Sequence, residues 1–267
     1  MSPSPFSLYT CPHCRGSLAL ENAARLVCRA CQRAYPIVDG IPNFIMDDLT
    51  ASPHVVLRRA KVFDWLARIY DWKPAYPLAV RIYAGWRVSH ARVLRLLAEM
   101  VSGVSGLILD VACGPGTLGR RLASGHREIY GVDMSWGMLR QGAILAAKER
   151  KYGVHFARAL AEALPFPDGC FDAALAGAAL HLLADPLQAL REMSRTLKPG
   201  APLAATTVIA GETGLFKYGA FREHMEKAHG LHAFTIPELA RLTAEAGFQD
   251  FQPRVFGSLV AFRARQG

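Results

Sequence analysis

The chain has 267 residues, 51% hydrophobic and 20% charged, so a sizeable core can form and wholesale disorder is excluded. It holds 31 basic against 22 acidic residues, a formal charge of +9. The excess is mostly arginine spread along the chain without like-charge blocks, so charge alone is a weak pointer to nucleic acid.

The start, Met1-Ser-Pro-Ser-Pro5, lacks the basic and apolar regions of a signal peptide. The most apolar stretch, Ala173 to Leu190, is broken by His181, Asp185 and Pro186, so no membrane span is expected and a cytoplasmic location is the default. Oligomeric state is left open.

Cys11-x-x-Cys14 and Cys28-x-x-Cys31 are two knuckles separated by thirteen residues. Each puts two thiolates on one tight turn, and a short hairpin between them would assemble the tetrahedral sulfur site that Zn2+ prefers. Ser17 to Leu20 and Arg25 to Val27 suit that hairpin. A segment of about forty residues has little core of its own and needs such a staple. With four sulfur ligands the site is closed, hence structural, and His13 is read as a bystander. Asp39-Gly40 reads as a turn between short extended pieces. The segment Tyr35 to Phe44 resembles the tail of small zinc-ribbon domains that accompany methyltransferases, including 23S rRNA guanine methyltransferases with an N-terminal zinc module.

A polar stretch from Met46 to Pro53 suggests a boundary near residue 48. Apolar spacing predicts helices over 55–70 and 83–100. Phe63-Asp64-Trp-Leu-Ala67-Arg-Ile-Tyr70-Asp71 resembles a segment of ubiquinone/menaquinone-type methyltransferases. In that family the helix caps the cofactor, which would place Tyr70 near it.

Leu107 to Val111 reads as a buried strand, and Gly114-Pro-Gly116-Thr-Leu-Gly119 opens a helix reaching about Ala123. This string also satisfies the dinucleotide fingerprint G-x-G-x-x-G. Asp110 argues against that reading. A pyrophosphate on the glycine turn needs amides and a positive helix terminus, and a carboxylate beside it would be repelled. S-adenosylmethionine (SAM) carries an ammonium and a sulfonium and no phosphate, so the acid favours it. The next strand, Glu128 to Asp133, ends in an acid suited to ribose hydroxyls, a feature either cofactor would use.

From residue 60 to 264 the chain resembles class I SAM-dependent methyltransferases of the ubiquinone/menaquinone type. The strings are Asp133-Met-Ser-Trp-Gly-Met-Leu139, Phe156 to Asp172, and Leu180-His-Leu-Leu-Ala-Asp185-Pro to Lys198-Pro-Gly200. The resemblance implies cofactor contacts from Tyr70, Asp110, Ala112, Gly114, Gly116, Asp133, Met134, Leu160, Ala161 and Gly177, with Met134 packing on adenine. It departs at Leu160, where the family has an aspartate that accepts from the adenine amino group. Leucine cannot accept, which leaves the Ala161 amide to reach the ring edge.

Phe234 to Phe248 reads as a capped helix stopped by glycine. Two strands follow, over about 249–255 and 258–264, and resemble the family's closing hairpin. The expected fold is therefore α/β: a Rossmann-like seven-stranded sheet with helices on both faces and a C-terminal antiparallel hairpin, plus an N-terminal zinc ribbon. The expected division is 1–48 zinc ribbon, 49–105 linker and helical lid, and 106–267 core, with a substrate-binding insertion near 211–233.

Methyl transfer chiefly needs alignment of the nucleophile with the methyl carbon and exclusion of water. A base is needed only for an acceptor that must lose a proton. His181 is the first candidate, followed by Glu212, Tyr218, His224, His229 and His232. Phe216, Tyr218 and Phe221 suit an apolar acceptor. Cys113 is read as lining the glycine turn and Cys170 as inert. The leading expectation is a small apolar or aromatic acceptor such as a quinone, lipid or secondary metabolite. An rRNA guanine methyltransferase is the runner-up. It is weakened because Gly177-Ala-Ala-Leu-His lacks the Asn/Asp-Pro-Pro-aromatic motif of exocyclic-amine methylation. A non-catalytic protein retaining the fold is the third reading.

Overall fold

A computed structural model of the chain describes residues 5–45, 64, 89–211 and 215–267. The helix expected over 55–70, Tyr70 included, lies outside the described residues apart from helical Asp64, as do the boundary near 48, the first residues of the helix expected from 83, and Glu212.

The N-terminal segment forms a four-stranded antiparallel sheet in the order β1 (Leu18–Glu21), β2 (Arg25–Cys28), β3 (Ala34–Val38), β4 (Ile41–Pro42). Asp39 and Gly40, both at positive φ (53° and 75°), make the two-residue turn that joins β3 to β4.

The second sheet has seven strands: β5 (Gly106–Val111), β6 (Arg127–Asp133), β7 (Val154–Arg158), β8 (Ala173–Gly177), β9 (Pro202–Val208), β10 (Phe248–Phe256) and β11 (Leu259–Gln266). Their order is β10-β11-β9-β8-β5-β6-β7, with β5 to β9 parallel and β11 antiparallel between β9 and β10. This is the expected sheet with its closing hairpin. Its central strands are apolar on both faces, as parallel strands covered by helices require; β9 is buried throughout. The chain winds outward from β5 through β7, then returns to β8 on the other side of β5. That reversal opens a crevice at the carboxyl ends of β5 and β8.

Helix boundaries follow local chemistry. Ser89, Ser135 and Asp185 cap the helices His90–Met100, Trp136–Lys148 and Pro186–Thr196 by accepting from the amides of Arg92, Met138 and Gln188. Thr235 and Glu238 form a capping box for Ile236–Glu245. No described helix is long and apolar enough to cross a membrane.

The zinc ribbon shares its core with the large sheet. Tyr9 and Phe44 pack with Tyr130, Phe166 and Phe171 in one buried cluster, Tyr9 lying 5.2 Å from both Phe44 and Phe166 between ring centroids. Phe44 N donates to Arg158 O at 2.8 Å and Thr10 N to Pro165 O at 2.9 Å, so the ribbon runs against the β7 edge. Buried Glu192 locks the joint. Its carboxylate accepts from Arg15 Nη2 of the ribbon at 2.8 Å, from Arg195 Nη2 at 2.9 Å and from Leu164 N at 2.9 Å.

Candidate functional site

The four knuckle cysteines converge, with all four sulfurs within 4.8 Å of one another. Cys14–Cys28 is 3.4 Å and Cys11–Cys31 is 3.7 Å between sulfurs. A tetrahedron with Zn–S bonds of about 2.3 Å has S–S edges of about 3.8 Å, so the donor set fits Zn2+. Burial disfavours the Cys28 thiolate, but donation from the amides of Cys31 and Ala30 outweighs it and brings the thiol to about 7. Gly16 is obligatory here, because a Cβ would lie 2.9 Å from Cys28 Sγ and 3.3 Å from Cys14 Sγ. Fully buried Tyr35 places its hydroxyl 3.0 Å from Cys11 Sγ. Sequence reading missed that partner, since only the β2–β3 register brings it there.

The second site lies at the crevice. Asp110 and Asp133 sit near the ends of adjacent strands β5 and β6. The chain then turns through Ala112, Gly114 and Gly116, all left-handed with φ of 51°, 55° and 66°. The turn leaves no room for larger residues. A Cβ on Gly116 would fall 2.8 Å from the Phe156 ring, and one on Gly142 would fall 2.9 Å from it and 3.0 Å from Pro115 O. Among the described residues, by contrast, a Cβ on Gly114 would meet nothing nearer than Met138 Sδ at 4.0 Å. Asp133 Oδ2 accepts from Gly114 N at 2.8 Å and Oδ1 from Ser135 N at 2.9 Å, tying β6 to the turn.

Burial dominates the electrostatics of this corner. Burial raises the Asp110 carboxyl to about 7; the Gly119 amide works against this and Asp133 adds to it. Burial also raises Asp133, against three local amides and with a further push from Asp64. Asp64 Oδ1 accepts from Ser135 Oγ at 2.5 Å and Gly137 N at 2.8 Å, so a third carboxylate stands at this helix start. Burial, reinforced by Asp110 and Asp133, holds the Cys113 thiol far above its ordinary value, which disfavours the thiolate. Burial likewise raises Cys170 to about 12.

Asp110, Ala112 and Gly177 line one cavity of about 50 Å3 together with Cys113, Thr206 and His90. Gly114, Gly116 and Asp133 adjoin it through the turn. Met134 follows Asp133, while Leu160 and Ala161 follow β7. Ala159 N donates to Asp133 O at 3.2 Å, so that segment stays beside the acid. Arg158 braces this corner: Nε donates to Met134 O at 2.9 Å and Nη1 to Asn43 Oδ1 at 3.2 Å, and its guanidinium lies 5.3 Å from the Trp136 ring centroid. Sequence reading missed Asp64, His90, Arg158 and Thr206. The strand patterns would have yielded Arg158 and Thr206 only with the register in hand.

His181 lies on the turn Leu180–Leu182 after β8, with Nδ1 3.1 Å from Thr207 Oγ1 at the end of β9. Burial pushes its pKa down to about 4, so the ring is neutral. Phe216 is buried against Phe221, at 5.3 Å between centroids, and Tyr218 is exposed. His232 N donates to His181 O at 3.1 Å, and its ring lies between Glu226 at 3.2 Å and Glu238 at 3.0 Å; partial burial lowers its pKa, but those carboxylates outweigh it and raise it. His224 and His229 lie on the helix Gly219–His229.

Residues 109–205 match the family described as methyltransferase domain, and residues 8–40 match the Trm112p-like protein family. Malonyl-acyl-carrier-protein O-methyltransferase of Pseudescherichia vulneris is 34% identical over 128 residues, 46% of this chain and 49% of that protein. Demethylmenaquinone methyltransferase of Renibacterium salmoninarum is 36% identical over 129 residues, 48% of this chain and 50% of its own length. The chain thus spans about half the length of these curated relatives. Among solved structures, the 4+2 cyclase SpnF superposes with a TM-score of 0.64 at 23% identity, covering 78% of this chain and 94% of that one. Phosphoethanolamine N-methyltransferase 2 of Haemonchus contortus, in complex with S-adenosyl-L-methionine, gives 0.62 at 22% identity, covering 80% and 47%. These structures share the fold. Residues 109–205 are thus similar to a methyltransferase domain and residues 8–40 to a Trm112p-like protein.

Proposed function

We propose that the chain is a SAM-dependent methyltransferase acting on a small apolar or aromatic acceptor. The observation that carries this is the pairing of buried Asp110 with Asp133 around the left-handed glycine turn. Three carboxylates face this corner, counting Asp64, where a dinucleotide's pyrophosphate would meet repulsion and a cationic cofactor meets attraction.

When bound, SAM supplies an electrophilic methyl group on a sulfonium. Asp133 would hold the ribose hydroxyls, and the turn amides and Asp110 the amino-acid end. Met134 and Ala161 would flank the adenine, with Leu160 unable to accept from it. Tyr70 belongs to the same proposal through the family resemblance. On the acceptor side, His181 is neutral above about pH 4 and is fixed by Thr207. We assign it first to orienting the acceptor. As a proton acceptor it would be weak, suiting a group that is already ionised or loses its proton late. The relatives that act on malonyl-acyl-carrier protein and demethylmenaquinone support an acceptor of this class. A cytoplasmic location belongs to this reading.

Because a cyclase shares the fold, cofactor binding alone does not establish transfer. The test is calorimetry with SAM and its demethylated product, followed by transfer of a labelled methyl group to a panel of quinols, carboxylic acids and RNA. Saturable binding with label in a small acceptor is expected. Absence of binding would sink the cofactor reading, and label in RNA alone would replace the acceptor class.

A further inference from the structure

A larger cavity, about 450 Å3, opens at the other end of the sheet, beside the amino ends of β5 and β9. Its lining includes Ser102 and Gly103, beyond the helix His90–Met100, and Gln252, Arg254, Arg263 and Arg265 of the closing hairpin. The register explains the convergence. Gln252 pairs with Arg263 across β10 and β11, Arg254 with Ala261, and Arg263 and Arg265 alternate onto one face of β11. Buried Pro202, opposite Arg265 on β9, also lines the cavity.

Among the described lining residues, three guanidinium groups therefore meet one carboxylate, Glu99. Arg254 makes no hydrogen bond or ion pair with any described residue. The Arg263 Nε is buried and has no hydrogen-bond partner among the described residues. Arg265 reaches Gly200 O at 3.2 Å but Asp250 only at 3.9 Å. Burial and Arg265 together depress the Arg263 pKa, and the Asp250 carboxylate only partly offsets them. Like charges on neighbouring sheet positions repel, and a buried N–H without an acceptor is costly. An anion spanning the guanidinium forks removes both penalties.

We propose that this groove binds a small molecule bearing a phosphate or diphosphate group, held by Arg254, Arg263 and Arg265. The volume is that of a small-ligand site. The groove lies at the opposite end of the strands from the glycine turn, so its ligand is neither the cofactor nor the methyl acceptor.

The test is calorimetry on the full chain with inorganic pyrophosphate, comparing wild type with Arg254→Gln, Arg263→Gln and Arg263→Lys. Saturable binding at one site is expected. Each Gln substitution should weaken it by about tenfold or more, because a charge-assisted hydrogen bond is lost. Arg263→Lys should fall between, keeping the charge without the fork. Arg254 is exposed, so its variant folds even if Arg263→Gln does not, and circular dichroism checks both. No saturable binding at millimolar pyrophosphate, or binding indifferent to all three changes, overturns the proposal. A short single-stranded RNA that binds through these arginines and is not displaced by pyrophosphate overturns the small-molecule assignment.

Discussion

Replacing Glu192 by glutamine tests whether the zinc ribbon is structurally integral. The carboxylate is only 5% exposed and faces two guanidiniums, Arg15 at 42% and Arg195 at 19% exposure. Glutamine keeps the volume and can still accept from Leu164 N. It loses the charge that makes the arginine contacts strong. Breaking a fully buried pair costs about 3–5 kcal/mol, and Arg15's exposure discounts its share through solvent screening. We expect a loss of about 3 kcal/mol, or roughly 6–12 °C in Tm for a chain of this size. The pH dependence has a definite sign. The arginines hold the Glu192 pKa below its ordinary 4.5 against the effect of burial. Its stabilisation is therefore full above about pH 4.5 and is lost as pH falls through the depressed folded value. Thermal melts of both proteins at pH 7, then below 4.5, should show a large gap that narrows in acid. A Tm difference under about 1 °C at pH 7, or a gap that acid leaves unchanged, would refute the reasoning.

Three further outcomes follow from the geometry. Stripping zinc with a strong chelator, or making Cys28→Ser, should remove the metal and lower Tm by on the order of 10 °C or more, because the ribbon's aromatics are part of the main core; an unchanged Tm in metal-free protein would make the module dispensable. Asp110 has a folded pKa raised to about 7, so its contribution to the unliganded fold falls as pH rises from about 3.8 to 7, whereas a cationic cofactor favours its charged form. SAM affinity should accordingly climb between pH 5.5 and 7, and calorimetry on Asp110→Asn should show that slope flattened. Gly116→Ala places a Cβ 2.8 Å from the Phe156 ring at a φ of 66°; it should cost about 1–2 kcal/mol of backbone strain and weaken SAM binding about tenfold, and an unaltered dissociation constant would contradict the tight packing of the turn.

What the sequence alone determined was whatever short-range chemistry fixes. Paired knuckles specify a sulfur site because two thiolates on each of two turns need only a hairpin between them. Asp110 ahead of Gly114 and Gly116 marks the strand–turn–helix, because glycine readily adopts the positive φ that this turn requires at both positions. Ser135, Asp185 and Thr235 start helices wherever an oxygen can reach amides three residues ahead. The tertiary structure decided what depends on register and on residues far apart in the chain. Tyr35 meets Cys11 only through the ribbon's strand pairing. Glu192 joins Arg15 across 177 positions, a contact no local pattern encodes. Arg254, Arg263 and Arg265 are scattered charges in the sequence and become one groove only because β10 and β11 pair as they do. The pKa values of Asp110 and His181 likewise belong to the fold, since burial sets them.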